Sequence, residues 1–227
     1  SVKGLKSGHS GIEIIKERGD SNKILWRILK DLSNNVDFRI VSLNGGSKDN
    51  AIPREADAII AINPNDLNNV KEIVANWKEV LVNELRVQDP GVNVLVSEEV
   101  EQVTEAFDKI STIKAINLLV LIPNGIKTKS FSIENLVQSS CNLGVVTTTS
   151  NNVQYDSAVS SSVKTLKNAI IEESRTIAEI IGCEFRTVAD YPEWEFNPES
   201  KVREVFKDVY KRMYGKDANI VAIHAGV

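Results

Sequence analysis

His9 stands in the segment Gly4-Leu5-Lys6-Ser7-Gly8-His9-Ser10-Gly11. Glycines on both sides keep the backbone free and let a ligand come close. A histidine so placed can donate a hydrogen bond to a developing oxyanion. The competing reading is a solvent-exposed loop histidine with no role. Ser10 is not a nucleophile elbow, because Gly8-His9-Ser10-Gly11 lacks a second glycine at the right offset. Asn50 lies in a second loop, Asn44-Gly45-Gly46-Ser47-Lys48-Asp49-Asn50-Ala51-Ile52-Pro53-Arg54-Glu55. Its amide can bond a substrate carbonyl or carboxylate. The competing reading is a turn asparagine. Arg54 and Glu55 read as a solvated pair.

The remaining polar clusters read as structure. Glu98, Glu99 and Glu101 fall at the start of an expected helix, where the macrodipole favours negative charge. No histidine lies near them to complete a zinc set, and His9 and His224 lack the spacing of a metal motif. Gly125-Ile126-Lys127-Thr128 lacks the upstream glycine of a P-loop. The serines from Ser157 to Ser162 have no base placed beside them by sequence. Tyr191-Pro192-Glu193-Trp194-Glu195-Phe196 reads as a packing edge.

The elements that must carry these residues follow from periodicity. Val2 to Leu5 reads as a short strand. Ile24, Leu25, Ile28, Leu29 and Leu32 share one helical face, with Asp20, Ser21 and Asn22 as candidate caps. Asp37 to Leu43 and Ala56 to Ile62 read as strands joined by the Asn50 loop. Asn63-Pro64 opens a helix with a Leu67, Val70, Val74, Trp77 and Leu81 stripe. Val92 to Val96 is a strand. The second half suggests the same order: a helix on Val100, Val103, Phe107 and Ile110, then a hairpin of Leu136 to Thr149 with Val153 to Val163. A helix from Leu166 to Ile181 closed by Gly182 follows, then a strand from Cys183 to Ala189. The fold class is α/β (α+β): two tandem β-α-β-β-α-β-like units, each a mainly antiparallel sheet with helices on one face, a two-layer sandwich. The expected domains are 1–98 and 99–196. Residues 197–227 follow as an amphipathic helix over Lys201 to Tyr214 and a strand over Asn219 to His224.

Composition narrows the function classes. The 227 residues are 42% hydrophobic and 26% charged, with a formal net charge of −4. That is enough for a sizeable core. No basic stripe points to nucleic acid. The longest apolar stretch, Ala115 to Pro123, is too short to span a bilayer. No signal-peptide pattern opens the chain. Cys141 and Cys183 read as two reduced thiols of a cytoplasmic protein.

The two loop motifs together resemble the lid domain of aminoacyl-histidine dipeptidases, the carnosinase-like branch of the dizinc aminoacylase and carboxypeptidase superfamily. Pro123-Asn124-Gly125, Ser140-Cys141-Asn142-Leu143-Gly144-Val145-Val146 and Ile223-His224-Ala225-Gly226 extend the resemblance over nearly the whole chain. It implies that His9 stabilises the tetrahedral intermediate and that Asn50 helps hold a short peptide substrate such as Xaa-His. It implies two zinc ions in the intact parent, held by a catalytic domain of the same polypeptide, with no cofactor in this chain. The chain is then expected to be an excised lid, inactive alone, with a homodimer as a further possibility. Two positions depart from the pattern. Ser7 replaces a usual glycine. In Ala158-Val159-Ser160-Ser161-Ser162, Ser160 takes the place of an arginine that binds the substrate carboxylate, and serine cannot form a bidentate ion pair. Two other classes fit the same features: a non-catalytic dimerisation module, and the lid of a related metallo-carboxypeptidase or deacylase.

Overall fold

The computed structural model describes residues 1–98 and 103–224. Glu99, Val100 and Glu101 lie outside the described residues, as do the last three residues of the Ile223-to-Val227 stretch, 225–227. The first half follows its sequence signals closely. Strand β1 (Val2–Lys3) leads to helix α1 (Ser21–Asn35), strands β2 (Phe38–Gly45) and β3 (Ala56–Ile62), helix α2 (Leu67–Glu84) and strand β4 (Asn93–Val94). Asp20 is the N-cap of α1 and accepts the Lys23 N–H at 2.9 Å. The five-residue apolar stripe of α1 is buried as its spacing requires.

The second half consists of α3 (Lys109–Leu121), β5 (Gly125–Lys129), β6 (Val137–Thr148), β7 (Val153–Ser161), α4 (Lys164–Ile181) and α5 (Lys201–Tyr214). The strands form one seven-stranded sheet in the order β4-β1-β3-β2-β6-β5, with β7 also on β6. Every ladder is antiparallel. Strands from the first and second halves of the chain meet at the Gly45–Val146 pair. The other edge of β2 is laddered to β3, but on the β6 side, beyond that single pair, β2 satisfies its backbone with borrowed groups. The Thr148 hydroxyl accepts the Leu43 N–H at 2.7 Å and donates to the Leu43 carbonyl at 2.8 Å. Thr112 Oγ1 accepts the Ile40 N–H, and Phe107 N–H donates to the Ile40 carbonyl. Buried backbone groups on a strand edge that lacks a ladder must find such partners. Helices α2, α1, α3 and α4 contact one another in that order and pack on the strands, giving the two-layer arrangement.

Three expected elements differ. The helix expected on Val100, Val103, Phe107 and Ile110 starts only at Lys109, where Asp108 Oδ1 accepts the Ser111 N–H. Its buried face is Thr112, Ala115, Ile116 and Leu119, and Ile110 is exposed. A threonine in the stripe and apolar residues on the outer side hide its periodicity. Cys183 to Ala189 alternates like a strand, but it pairs with no strand among the described residues. Phe185 instead lies under the Arg175 guanidinium, 4.9 Å from the ring centroid, and Ala189 adopts φ 52°. Asn219 to His224 is not a strand either: Ile220, Val221 and Ile223 are exposed. Strand β5, conversely, has no alternation that announces it.

Candidate functional site: a paired histidine and asparagine loop

The His9 loop and the Asn50 loop lie side by side as a short antiparallel bridge. Ser10 N–H donates to the Asn50 carbonyl at 2.9 Å, and Ile52 N–H donates to the Gly8 carbonyl at 2.8 Å. His9 and Ala51 are the bridge partners. The Ser7 hydroxyl donates to the Ile52 carbonyl at 2.6 Å. Ser7 adopts φ 64°, a left-handed conformation that glycine takes without strain. Arg18 braces the loop from the other side. Its guanidinium donates to the Ser7 carbonyl and pairs with Glu13 at 2.9 Å.

This frame fixes the chemistry of His9. Its Nδ1 accepts the backbone N–H of Gly11 at 3.0 Å, with the Ile12 N–H at 3.4 Å. In the neutral imidazole the other nitrogen, Nε2, must then carry the proton. The ring is exposed, so this N–H is available to an acceptor from outside. The Asn50 side chain is also exposed and makes no hydrogen bond among the described residues. Its backbone is held on both sides: the N–H donates to Asp49 Oδ1 and the carbonyl accepts from Ser10.

The floor of the Asn50 loop is β6. The buried Asn142 amide donates to the Asp49 and Ala51 carbonyls, at 2.7 and 2.9 Å. At Gly144 the loop approaches so closely that a Cβ would lie 2.3 to 2.6 Å from backbone atoms of Asp49.

Ser160 joins the same region from β7. It is the ladder partner of Ser140, whose hydroxyl lies 2.8 Å from Nε2 of His224. The His224 carbonyl in turn lies against Gly11, where a Cβ would come within 2.3 Å of it. His224 therefore links the Ser140–Ser160 pair to the His9 loop. Burial lowers its pKa below the ordinary histidine value. Burial also pushes the Cys141 thiol, next to Ser140, up to about 11. Sequence reasoning singled out His9, Asn50 and Ser160. It gave no role to Arg18 or Asn142, whose partners are far away in the chain.

Glu98 is exposed and pairs with Lys71 at 2.5 Å; Glu99 and Glu101 are outside the described residues. Arg54 and Glu55 are an exposed pair at 3.1 Å. Among the described residues, no group of three His, Cys, Asp or Glu side chains could hold a metal ion. No helix among them is long and apolar enough to cross a membrane.

Residues 1–89, which include both loops, match the family described as the peptidase dimerisation domain. That stretch is thus similar to a peptidase dimerisation domain of the M20 type. Over its whole length the chain is 34% identical to the cytosol non-specific dipeptidase of Escherichia coli, of which it covers 47%. It is also similar to the crystal structure of aminoacylhistidine dipeptidase from Vibrio alginolyticus. The TM-score is 0.91 at 33% identity, with all of this chain and 46% of that one covered. The chain thus spans about half the length of the relatives it matches. The mixed α/β fold with a mainly antiparallel sheet is common to this chain and that crystal structure.

Proposed function

We propose that this chain is the lid and substrate-recognition domain of a cytoplasmic dipeptidase that hydrolyses short peptides, Xaa-His among them. The observation that carries the reading is the exposed His9 ring, whose Nδ1 is occupied by Gly11 so that Nε2 carries the proton of the neutral ring, on a loop bonded to the Asn50 backbone. That N–H donates to the scissile carbonyl oxygen as negative charge develops on it, which strengthens the bond in the transition state more than in the ground state. Asn50 presents an amide that both donates and accepts, suited to a peptide carbonyl or terminal carboxylate. Ser160 supplies a neutral hydroxyl to the carboxylate end. The similarity to two dipeptidases supports this reading.

The parent is proposed to hold two zinc ions in a catalytic domain of the same polypeptide. The side chains described here do not fit them. What this chain contributes is hydrogen bonding, substrate orientation and cover.

The test is steady-state hydrolysis of a panel of dipeptides by the polypeptide that carries this chain. In the His9→Ala variant kcat falls by about 10²–10³, with a smaller change in KM. An unchanged kcat removes His9 from the reaction. The same panel, extended to N-acyl amino acids and longer peptides, separates a dipeptidase from a carboxypeptidase or a deacylase.

A second reading has its own support in the match over residues 1–89: the chain pairs with a second copy. Sedimentation of the chain at high concentration decides this, and a monomer there counts against pairing by this chain alone.

A further inference from the structure

We propose that Asn142 is the positioning residue that sets the His9 and Asn50 loops in working register, a role that rests on reading those two residues as substrate-facing. Asn142 lies on β6 and is only 2% exposed. Both of its amide hydrogens are spent on one loop: Nδ2 donates to the Asp49 carbonyl at 2.7 Å and to the Ala51 carbonyl at 2.9 Å. Those carbonyls flank Asn50. Two carbonyl acceptors on one side of the amide also fix its orientation, since only the NH₂ group can serve both.

The consequence reaches both substrate-facing side chains. With the residues before and after Asn50 pinned by one buried group, the Asn50 side chain is left on the outer side of the loop, where it is exposed. Ala51 is also the bridge partner of His9, and the Asn50 carbonyl receives the Ser10 N–H. Moving the Asn50 loop therefore moves the His9 loop. Two glycines make the arrangement possible. Gly144 leaves room for the Asp49 backbone, and Gly46, at φ 72°, passes so close to the Gly144 carbonyl that a Cβ would lie 1.8 Å from it.

No other side chain reproduces the clamp. Aspartate is the same size but presents acceptors to two carbonyls. Serine has one donor and a shorter reach. Glutamine has two donors on a stem one methylene longer, in a site with little space. Leaving two carbonyls in a semi-buried loop without donors favours a shifted loop that reaches water.

The test has two arms. In the first, amide hydrogen exchange is measured on this chain and on its Asn142→Ser and Asn142→Asp variants. Exchange at Ser10 and Ile52, whose N–H groups hold the two loops together, rises at least tenfold. Exchange at Ile28 and Leu29 in α1 stays unchanged and reports an intact core. In the second arm the same substitutions enter the polypeptide that carries this chain. Dipeptide kcat/KM falls at least tenfold, mostly in kcat. In a His9→Ala/Asn50→Ala background the further loss is less than twofold, because Asn142 acts only through those residues. Unchanged exchange at Ser10 and Ile52 overturns the clamp. An equal loss in both backgrounds also overturns it, since a purely structural role acts regardless of His9 and Asn50. If the unmodified polypeptide hydrolyses no dipeptide, the lid reading falls, while the exchange arm still decides whether Asn142 holds the loops.

Discussion

Buried Asp20 and half-buried Lys23 form a pair at the first turn of α1, joined where the Lys23 backbone N–H donates to Asp20 Oδ1 at 2.9 Å. Asp20 Oδ2 has no hydrogen-bond partner among the described residues. Burial pushes the carboxyl up to about 7, against the pull of the Lys23 amide and ammonium. Burial also draws the Lys23 amine down to about 8. Lys23 Nζ reaches across to the carbonyls of Leu119 and Ile122, at 2.6 and 2.8 Å, where α3 ends. The start of α1 is thereby tied to the second half of the chain.

This pair predicts a pH dependence with a definite sign. The Asp20 pKa is raised on folding, from about 4 in the unfolded chain. Between about pH 4 and pH 7 the folded state keeps a proton that the unfolded state has released. The contribution of this group is therefore fully present below about pH 4 and is lost as pH rises to about 7. Lys23 acts in a separate window: its lowered pKa makes stability rise between about pH 8 and pH 10. Asp20→Asn keeps an acceptor for the Lys23 N–H and removes the carboxyl titration. In urea unfolding, the wild type loses stability relative to Asp20→Asn between pH 4 and pH 7, by a few kcal/mol at about 1.4 kcal/mol per pH unit. Parallel profiles would show that Asp20 is not shifted.

Asp89 predicts a stability effect of a different kind. It is fully buried, and its two carboxylate oxygens accept from Lys6 N–H and Gly19 N–H, each at 2.7 Å. One side chain thus holds the segment before His9 and the approach to α1 against the end of α2. Asp89→Ala leaves the buried Gly19 N–H and the half-buried Lys6 N–H without acceptors. Its cost is about 3 kcal/mol or more, because hydrogen bonds to a charged group are worth about 1.5–3 kcal/mol each. Urea unfolding measures it. A loss below about 1 kcal/mol would mean that water replaces the carboxylate.

The first half of the fold was legible because its signals are local. The α1 stripe, the Asp20 cap and the Gly45-Gly46 break each act within a few residues. The same holds for His9 and Asn50, whose loops advertise themselves by glycine and asparagine spacing. What could not be read is what depends on distant partners. Asn142 serves carbonyls 91 and 93 residues away, and Thr148 completes Leu43 across 105 residues. Cys183 to Ala189 has the alternation of a strand but no neighbouring strand edge, so periodicity alone misreads it. Helix α3 is apolar on its outer side as well, which erases the moment that would reveal its boundaries.

Gly11 supplies the last prediction, because its constraint comes from a neighbour and not from its own backbone. Its φ lies outside the left-handed region, so alanine fits the local conformation. The obstacle is the His224 carbonyl, 2.3 Å from where a Cβ would stand, with the His9 ring at 3.2 Å. His224 cannot yield freely, since its Nε2 is bonded to the Ser140 hydroxyl. Gly11→Ala therefore forces the His224 segment off the His9 loop and into water. In the wild type, burial holds the His224 pKa below its ordinary value, so displacement raises it towards about 6.5. Proton NMR titration of the two histidines reads this directly. Ser140→Ala is the control: it removes the hydrogen bond but leaves the segment in place, so the pKa stays depressed. If Gly11→Ala leaves the His224 titration where it was, the segment is not seated on Gly11, and the link from Ser160 through His224 to His9 is lost with it.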